Sequence, residues 1–194
     1  RVPKTRKTVV LKNLLSDESI TSAVVFTRTK FKAKNLAAQL EKDGHMATAL
    51  QGNMSQQKRK RAMEGFRNGT YRILVATDIA ARGIDVSDIS HVINYDVPDT
   101  TEAYTHRSGR TGRAEQYGHA ITFADKSDMA MIAMIERDLG MKMLLEADDL
   151  PLQTKTAAKK EHSGKSSSKK TRGNKDKVYS CKAKNHRRKA ISTI

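Results

Sequence analysis

The chain has 194 residues, a formal net charge of +16 and one cysteine, Cys181, which allows a domain of ordinary size and excludes a disulfide framework or a cysteine-rich zinc site. The charge is lopsided: residues 1–150 hold 23 Lys/Arg against 19 Asp/Glu, whereas residues 151–194 hold 14 against 2. No apolar run approaches the ~18 residues of a membrane span, and the basic start Arg1 to Lys7 leads into Val9, Val10 and Leu11 rather than a signal-peptide core, so the expectation is a cytoplasmic protein in a reducing compartment with no membrane partner.

The first residues read as part of a helix, and a start at Arg1 rather than Met points to a fragment whose upstream portion is missing. Short β-branched apolar runs then alternate with segments of helical period. Strands are predicted at 23–26, 47–50, 71–76, 91–95 and 120–123, with helices at 31–40, 55–66, 101–108 and 126–139. Such alternation implies right-handed crossovers and a parallel sheet covered on both faces, an α/β three-layer domain. Ligands bind such sheets at the carboxyl ends of the strands, which directs attention to the residues just after Phe26, Leu50, Ala76 and Tyr95.

Leu36 with Leu40, and Ala62, Met63 and Phe66, fall on inward helix faces and read as core. Met129, Met131, Met134, Met141 and Met143 read as filling under a last helix and strand, not as an adaptable binding surface. After Pro151 the composition turns to Lys, Ser, Thr, Gly and Asn, placing a boundary near residue 150. The domain is therefore expected at 1–150. The basic tail at 151–194 lacks the apolar surface to offset its ordering entropy, is expected to be disordered, and suits a polyanion, with nucleic acid the first choice and an anionic membrane surface the second.

The most informative stretch is His106-Arg107-Ser108-Gly109-Arg110-Thr111-Gly112-Arg113. Arg107, Arg110 and Arg113 recur every three residues with glycines between them, a spacing expected to aim several guanidiniums at one place. Guanidinium grips phosphate bidentately and stays charged, and glycine lets ligand and backbone approach closely.

This octet resembles the last conserved motif of the DEAD-box RNA helicases, HRxGRxGR. Other stretches resemble that family's C-lobe motifs in order: Val24 to Lys30 the fourth, Gln56-Gln57-Lys58-Arg59 its QxxR companion, Ala76 to Asp85 the fifth, and Val92 to Pro98 the strand and turn after it. The resemblance covers about residues 1–145, and the wording VVFTRTK with LAAQLEKDG resembles the bacterial RhlE-like branch. His106 stands where related DEAH and RecQ-like groups usually have Gln; Ala114-Glu115 departs from a glycine-containing turn common in the family.

The resemblance implies a RecA-like C-terminal lobe with a parallel sheet and gives roles to its residues. Arg110 and Arg113 would be catalytic arginine fingers that also bind ATP, an effect worth ~10³ to 10⁵ in rate, or roughly 4–7 kcal/mol. Asp85, beside Gly83, would hold the ATP ribose, and His106 would connect to the acidic motif of an N-terminal lobe. Thr29, Gln56, Arg59 and Thr77 would contact RNA, with Gly83 allowing backbone approach. Such groups suit phosphate and 2′-OH oxygens and cannot read bases, so recognition is expected to be independent of sequence. Asp78 and Arg82 can equally be a structural pair that shapes their loop.

Three stretches mimic motifs without their context. Gly164-Lys165-Ser166 ends like a phosphate-binding loop, but Lys159 stands where its first glycine belongs. Glu146-Ala147-Asp148-Asp149 lacks the leading Asp of the DEAD tetrapeptide, and Cys181 with His186 supplies two metal ligands at most. With neither a phosphate-binding loop nor an acidic Mg²⁺ motif in the chain, ATP is expected to be shared with an N-terminal lobe and Mg²⁺ to be held through that lobe only. The expected partners are therefore RNA and that lobe. The competing readings are a non-catalytic RNA-binding module and a DNA-directed helicase lobe, the latter disfavoured by His106.

Overall fold

The computed structural model describes residues 2–82, 89–112, 118–147 and 177–183. Helix α1 (Lys7–Leu15) leads into β1 (Ala23–Phe26), α2 (Lys30–Lys42), β2 (Ala47–Leu50), α3 (Gln56–Arg67), β3 (Ile73–Ala76) and the single turn α4 (Asp78–Ala81). Next come β4 (His91–Asn94), α5 (Thr101–Ser108), β5 (Gly118–Thr122), α6 (Met129–Leu139), β6 (Leu144–Ala147) and β7 (Lys177–Ala183).

The sheet order is β2-β3-β1-β4-β5-β7-β6. The first five strands pair in parallel, and β7 pairs antiparallel with both β5 and β6. This is the expected three-layer parallel architecture with an antiparallel addition at one side. β7 departs from the expectation of a disordered tail at 151–194. Within that polar stretch, Val178 and Tyr179 are adjacent strand formers, and pairing with β5 satisfies backbone groups that an edge strand would leave open. The rest of the tail lies outside the described residues.

Alternation along the buried strands sorts side chains into two cores. Val25, Ile73, Val75 and Ile93 join α1 and α2 through Leu11, Leu15, Leu36 and Leu40. Val24, Phe26, Leu74 and Val92 face the other way, against Ala62 and Phe66 of α3 and Ala80 and Ala81 of α4. Each fully buried Leu, Ile or Phe contributes about 1.5–3 kcal/mol. A third cluster joins Tyr104 of α5 to Ile132 and Ile135 of α6, with Met129, Met131, Met141 and Met143 packed into it; of the five methionines expected there, Met134 does not join it. α6 closes at Gly140, whose φ of 62° is the left-handed conformation that favours glycine.

Helix starts are set by short polar side chains just beyond the strand ends. Thr29, Ser55 and Thr100 each sit in extended conformation and accept a hydrogen bond from the backbone N–H three residues on, opening α2, α3 and α5. Strand end, cap and helix thus follow in quick succession at one edge of the sheet, and the candidate site residues lie at these junctions. Among the described residues no helix is long and apolar enough to cross a membrane.

Candidate functional site at the carboxyl edge of the sheet

The site is built on a buried arginine. Arg107, in the last turn of α5, is 3% exposed and turns inward over the Phe26 ring, 5.1 Å from its centroid. Its Nε and Nη2 donate to the two carboxylate oxygens of Asp78 at 2.6 and 2.7 Å, and Nη1 donates to Asn94 Oδ1 at 3.1 Å and to the Asp96 carbonyl at 2.9 Å. Asn94 in turn donates to Thr122 Oγ1 at 3.1 Å. One guanidinium thereby ties together the ends of β3, β4 and α5 above the end of β1.

This refines two expectations. Arg107 and Arg110 do meet at one pocket, but the Arg107 guanidinium is engaged there by Asp78, Asn94 and a carbonyl and forms its floor. Asp78 is a structural partner, as one reading allowed, but it pairs with Arg107 and not with the exposed Arg82. The physical cause is the end of α5. Arg107 lies inside the helix, whereas Gly109 terminates it and sends Arg110 along a different path. Thr111 then fixes that path, donating to the carbonyls of Ile89 and Ser90, while a side chain at Gly118 would collide with Thr111 Oγ1 and the backbone of Gly112.

Above this clamp lies a pocket of about 70 Å³ lined by Phe26, Asp78, Ala81, Arg82, Ala103, His106, Arg107 and Arg110. His106 is exposed, its Nε2 3.9 Å from Glu102 Oε1 one turn earlier. Arg110 is half-buried at the rim. Together with the exposed Arg82, these two carry N–H donors suited to an anionic ligand, and the one lining carboxylate, Asp78, is neutralised from below by Arg107. Arg113, Gly83 and Asp85, also expected here, lie outside the described residues.

The remaining expected residues occupy the neighbouring strand ends β1, β3 and β2. Thr29 caps α2, accepting from Lys32 N at 3.2 Å, which leaves its hydroxyl proton as a donor. Thr77 follows β3 and is half-buried; Gln56 opens α3 and is exposed. Arg59 sends Nη2 to the Ala80 carbonyl at 2.6 Å, joining α3 to α4. The structure brings these four to the same edge as the pocket, on adjacent strands.

Sequence reading missed the braces. Arg28 donates through its backbone N–H to Asp96 at 2.9 Å and through Nη2 to Asp99 at 2.7 Å, and Lys32 Nζ donates to both Asp96 oxygens at 2.9 and 3.1 Å. The loop after β1 is thereby latched to the loop after β4. Lys7 of α1 is buried and donates to the Tyr95 carbonyl at 3.0 Å; burial pushes its ammonium below the ordinary lysine range, partly offset by Asp128 and Asp96. A basic residue at a strand end opposite acidic ones was the available signal, but sequence distances of 64 to 88 residues hide such pairs.

Comparison with known proteins bears on this edge. The family model of the helicase conserved C-terminal domain matches residues 6–115. The ATP-dependent RNA helicase RhlB of Shewanella amazonensis is 48% identical over 118 residues, covering 61% of this chain and 27% of the relative. RNA helicase CrhR of Synechocystis is 42% identical over 154 residues, covering 79% and 31%. Among solved structures, the E. coli DEAD-box protein SrmB bound to RraA matches with a TM-score of 0.67 and 36% identity, over 73% of this chain and 83% of that one. S. cerevisiae Dbp5 bound to RNA and ADP BeF3 matches with a TM-score of 0.68 and 34% identity, over 73% and 39%. The chain spans between 27% and 35% of the length of the curated relatives it matches.

Proposed function

This chain belongs to the helicase conserved C-terminal domain family and is the C-terminal domain of a DEAD-box RNA helicase, and on that premise we propose that it supplies half of an ATP site and a sequence-independent grip on RNA for local duplex unwinding. The observation that carries the reading is the pocket of His106 and Arg110 on a charge-neutralised floor, beside the row Thr29, Thr77, Gln56 and Arg59. The donor set fits ATP: guanidinium and imidazole face the pocket, and its carboxylate is already paired.

In this proposal Arg110 and Arg113 are the arginine fingers, placing positive charge where negative charge accumulates on phosphoryl oxygens. His106 connects to the acidic motif of the N-terminal lobe, which also holds Mg²⁺. Asp85 accepts from the ribose, and Gly83 lets a backbone approach. Thr29, Gln56, Arg59 and Thr77 contact phosphate and 2′-OH oxygens without reading bases. Neither lobe suffices alone, and the parent protein works in the cytoplasm. The RhlE-like placement belongs to the same proposal. Dbp5, a structural neighbour bound to RNA and ADP BeF3, is matched over 39% of its chain, which supports a ligand site shared with a second lobe.

The test mixes this chain with the N-terminal lobe of a DEAD-box relative and measures ATP turnover with and without single-stranded RNA. Turnover that needs both lobes and rises with RNA is expected. RNA binding without any turnover would instead assign the chain to a non-catalytic RNA-binding module, the role to which the +16 charge alone would point.

A further inference from the structure

Ile79 and Phe31, at 77% and 70%, are the most exposed large apolar side chains among the described residues, and both stand at the carboxyl edge. Each follows a proposed RNA contact by two residues: Ile79 follows Thr77 on the β3 side, and Phe31 follows Thr29 on the neighbouring β1 side. Scattered exposed apolar residues are ordinary on protein surfaces. What distinguishes Phe31 is its setting. It occupies the first turn of α2, whose inward face of Ala33, Leu36, Ala37 and Leu40 is buried. That turn is fixed by the Thr29 cap and by the Lys32 bonds to Asp96. Phe31 adds nothing to the core, yet its ring is carried on a braced frame, with Lys30 Nζ 5.3 Å from its centroid.

An exposed aromatic ring with a cation beside it is chemistry suited to a nucleobase, whose face stacks on the ring while the ammonium meets the neighbouring phosphate. Reach agrees: residues two apart are separated by at most about 7 Å between Cα atoms, comparable to the span from a phosphate to its own base. We propose that Phe31 is a base-stacking residue, receiving the base of a nucleotide whose phosphate lies at Thr29. This rests on the RNA-binding reading above and deepens it. The edge grips backbone through Thr29 and Thr77 and adds one stacking contact, tolerant of base identity because every base has a π face. Ile79 lacks such a face and flanks the path as an apolar surface.

The chain contains no tryptophan, so Phe31→Trp in the full chain carries the sole indole. Short single-stranded RNA is expected to quench its emission, and an abasic strand with the same number of phosphates is expected to leave it unchanged. Phe31→Ala is expected to weaken binding of ordinary RNA roughly five- to hundred-fold while leaving abasic binding unchanged. Phe31→Leu, which keeps apolar bulk and loses the π face, is expected to behave like Phe31→Ala. Equal quenching by the abasic strand, or wild-type RNA affinity in Phe31→Leu, overturns the proposal. Wild-type RNA affinity in Phe31→Ala with loss of two-lobe ATP turnover also overturns it, assigning the ring to the N-terminal lobe. Absence of binding to either strand by the unaltered chain overturns the RNA reading itself, and base stacking with it.

Discussion

The two ends of the parallel sheet use polar side chains for opposite purposes. At the amino end, Ser22 and Ser90 exchange backbone and hydroxyl hydrogen bonds at 2.6 to 3.0 Å. His91 Nδ1 joins Ser90 Oγ at 3.0 Å, and the His91 ring stacks on His119 with centroids 4.9 Å apart. That end is closed and self-satisfied. At the carboxyl end the polar groups divide into a buried set around Arg107 and an exposed set including His106, Thr29 and Gln56. The contrast teaches that polarity alone does not mark a candidate site; at the carboxyl end polar groups face solvent above a frame that other polar groups tie together.

The largest expected effect breaks that frame. Arg107→Met removes the bidentate pair and leaves Asp78 and Asn94 without their partner, and should cost about 3–5 kcal/mol of stability in denaturant unfolding. A loss under about 1 kcal/mol would remove Arg107 from the frame. The next effect tests the amino end. Burial and the adjacent His119 lower the His91 pKa to about 4, against a small opposing pull from Asp17. The folded state therefore refuses a proton that the unfolded state accepts once the pH falls below about 6.5. Stability should be constant above neutrality and decline by about 2–3 kcal/mol on acidification from pH 7 to pH 4. His91→Phe, which keeps the stacked ring, should flatten that part of the profile; an unchanged slope would assign the acid sensitivity elsewhere. The smallest effect sharpens the border between frame and site. Arg59 belongs to both, through its bond to the Ala80 carbonyl and its proposed RNA contact, so Arg59→Ala should lower stability by about 1 kcal/mol and also weaken RNA binding. Full stability with weakened binding would make it a site residue only.

Much of this was legible in sequence because the signals are local. Four-residue runs such as Ala23-Val24-Val25-Phe26 are buried on both faces and read directly as central strands. The caps Thr29, Ser55 and Thr100 stand immediately before helical periods. Two strand limits shifted by two residues, with β3 beginning at Ile73 and β5 at Gly118, because edge residues take their state from neighbouring strands and not from their own preferences. β6 was not anticipated, and β7 lay hidden in a basic stretch, because strands of this kind depend on a distant partner. The division between Arg107 and Arg110 was equally hidden. Three-residue spacing implies a shared face only if the helix continues, and α5 stops between them; the partner of Arg107, Asp78, is 29 residues away.

The central proposal is that Arg110 serves the chemistry while Arg107 holds the frame beneath it. The direct measurement is RNA-stimulated ATP turnover by this chain combined with a DEAD-box N-terminal lobe, for wild type and Arg110→Ala, with denaturant unfolding of both. The account predicts that turnover falls by about 10³-fold or more while unfolding shifts by less than about 1 kcal/mol. Turnover within about tenfold of wild type, in a folded variant under the same conditions, would contradict it.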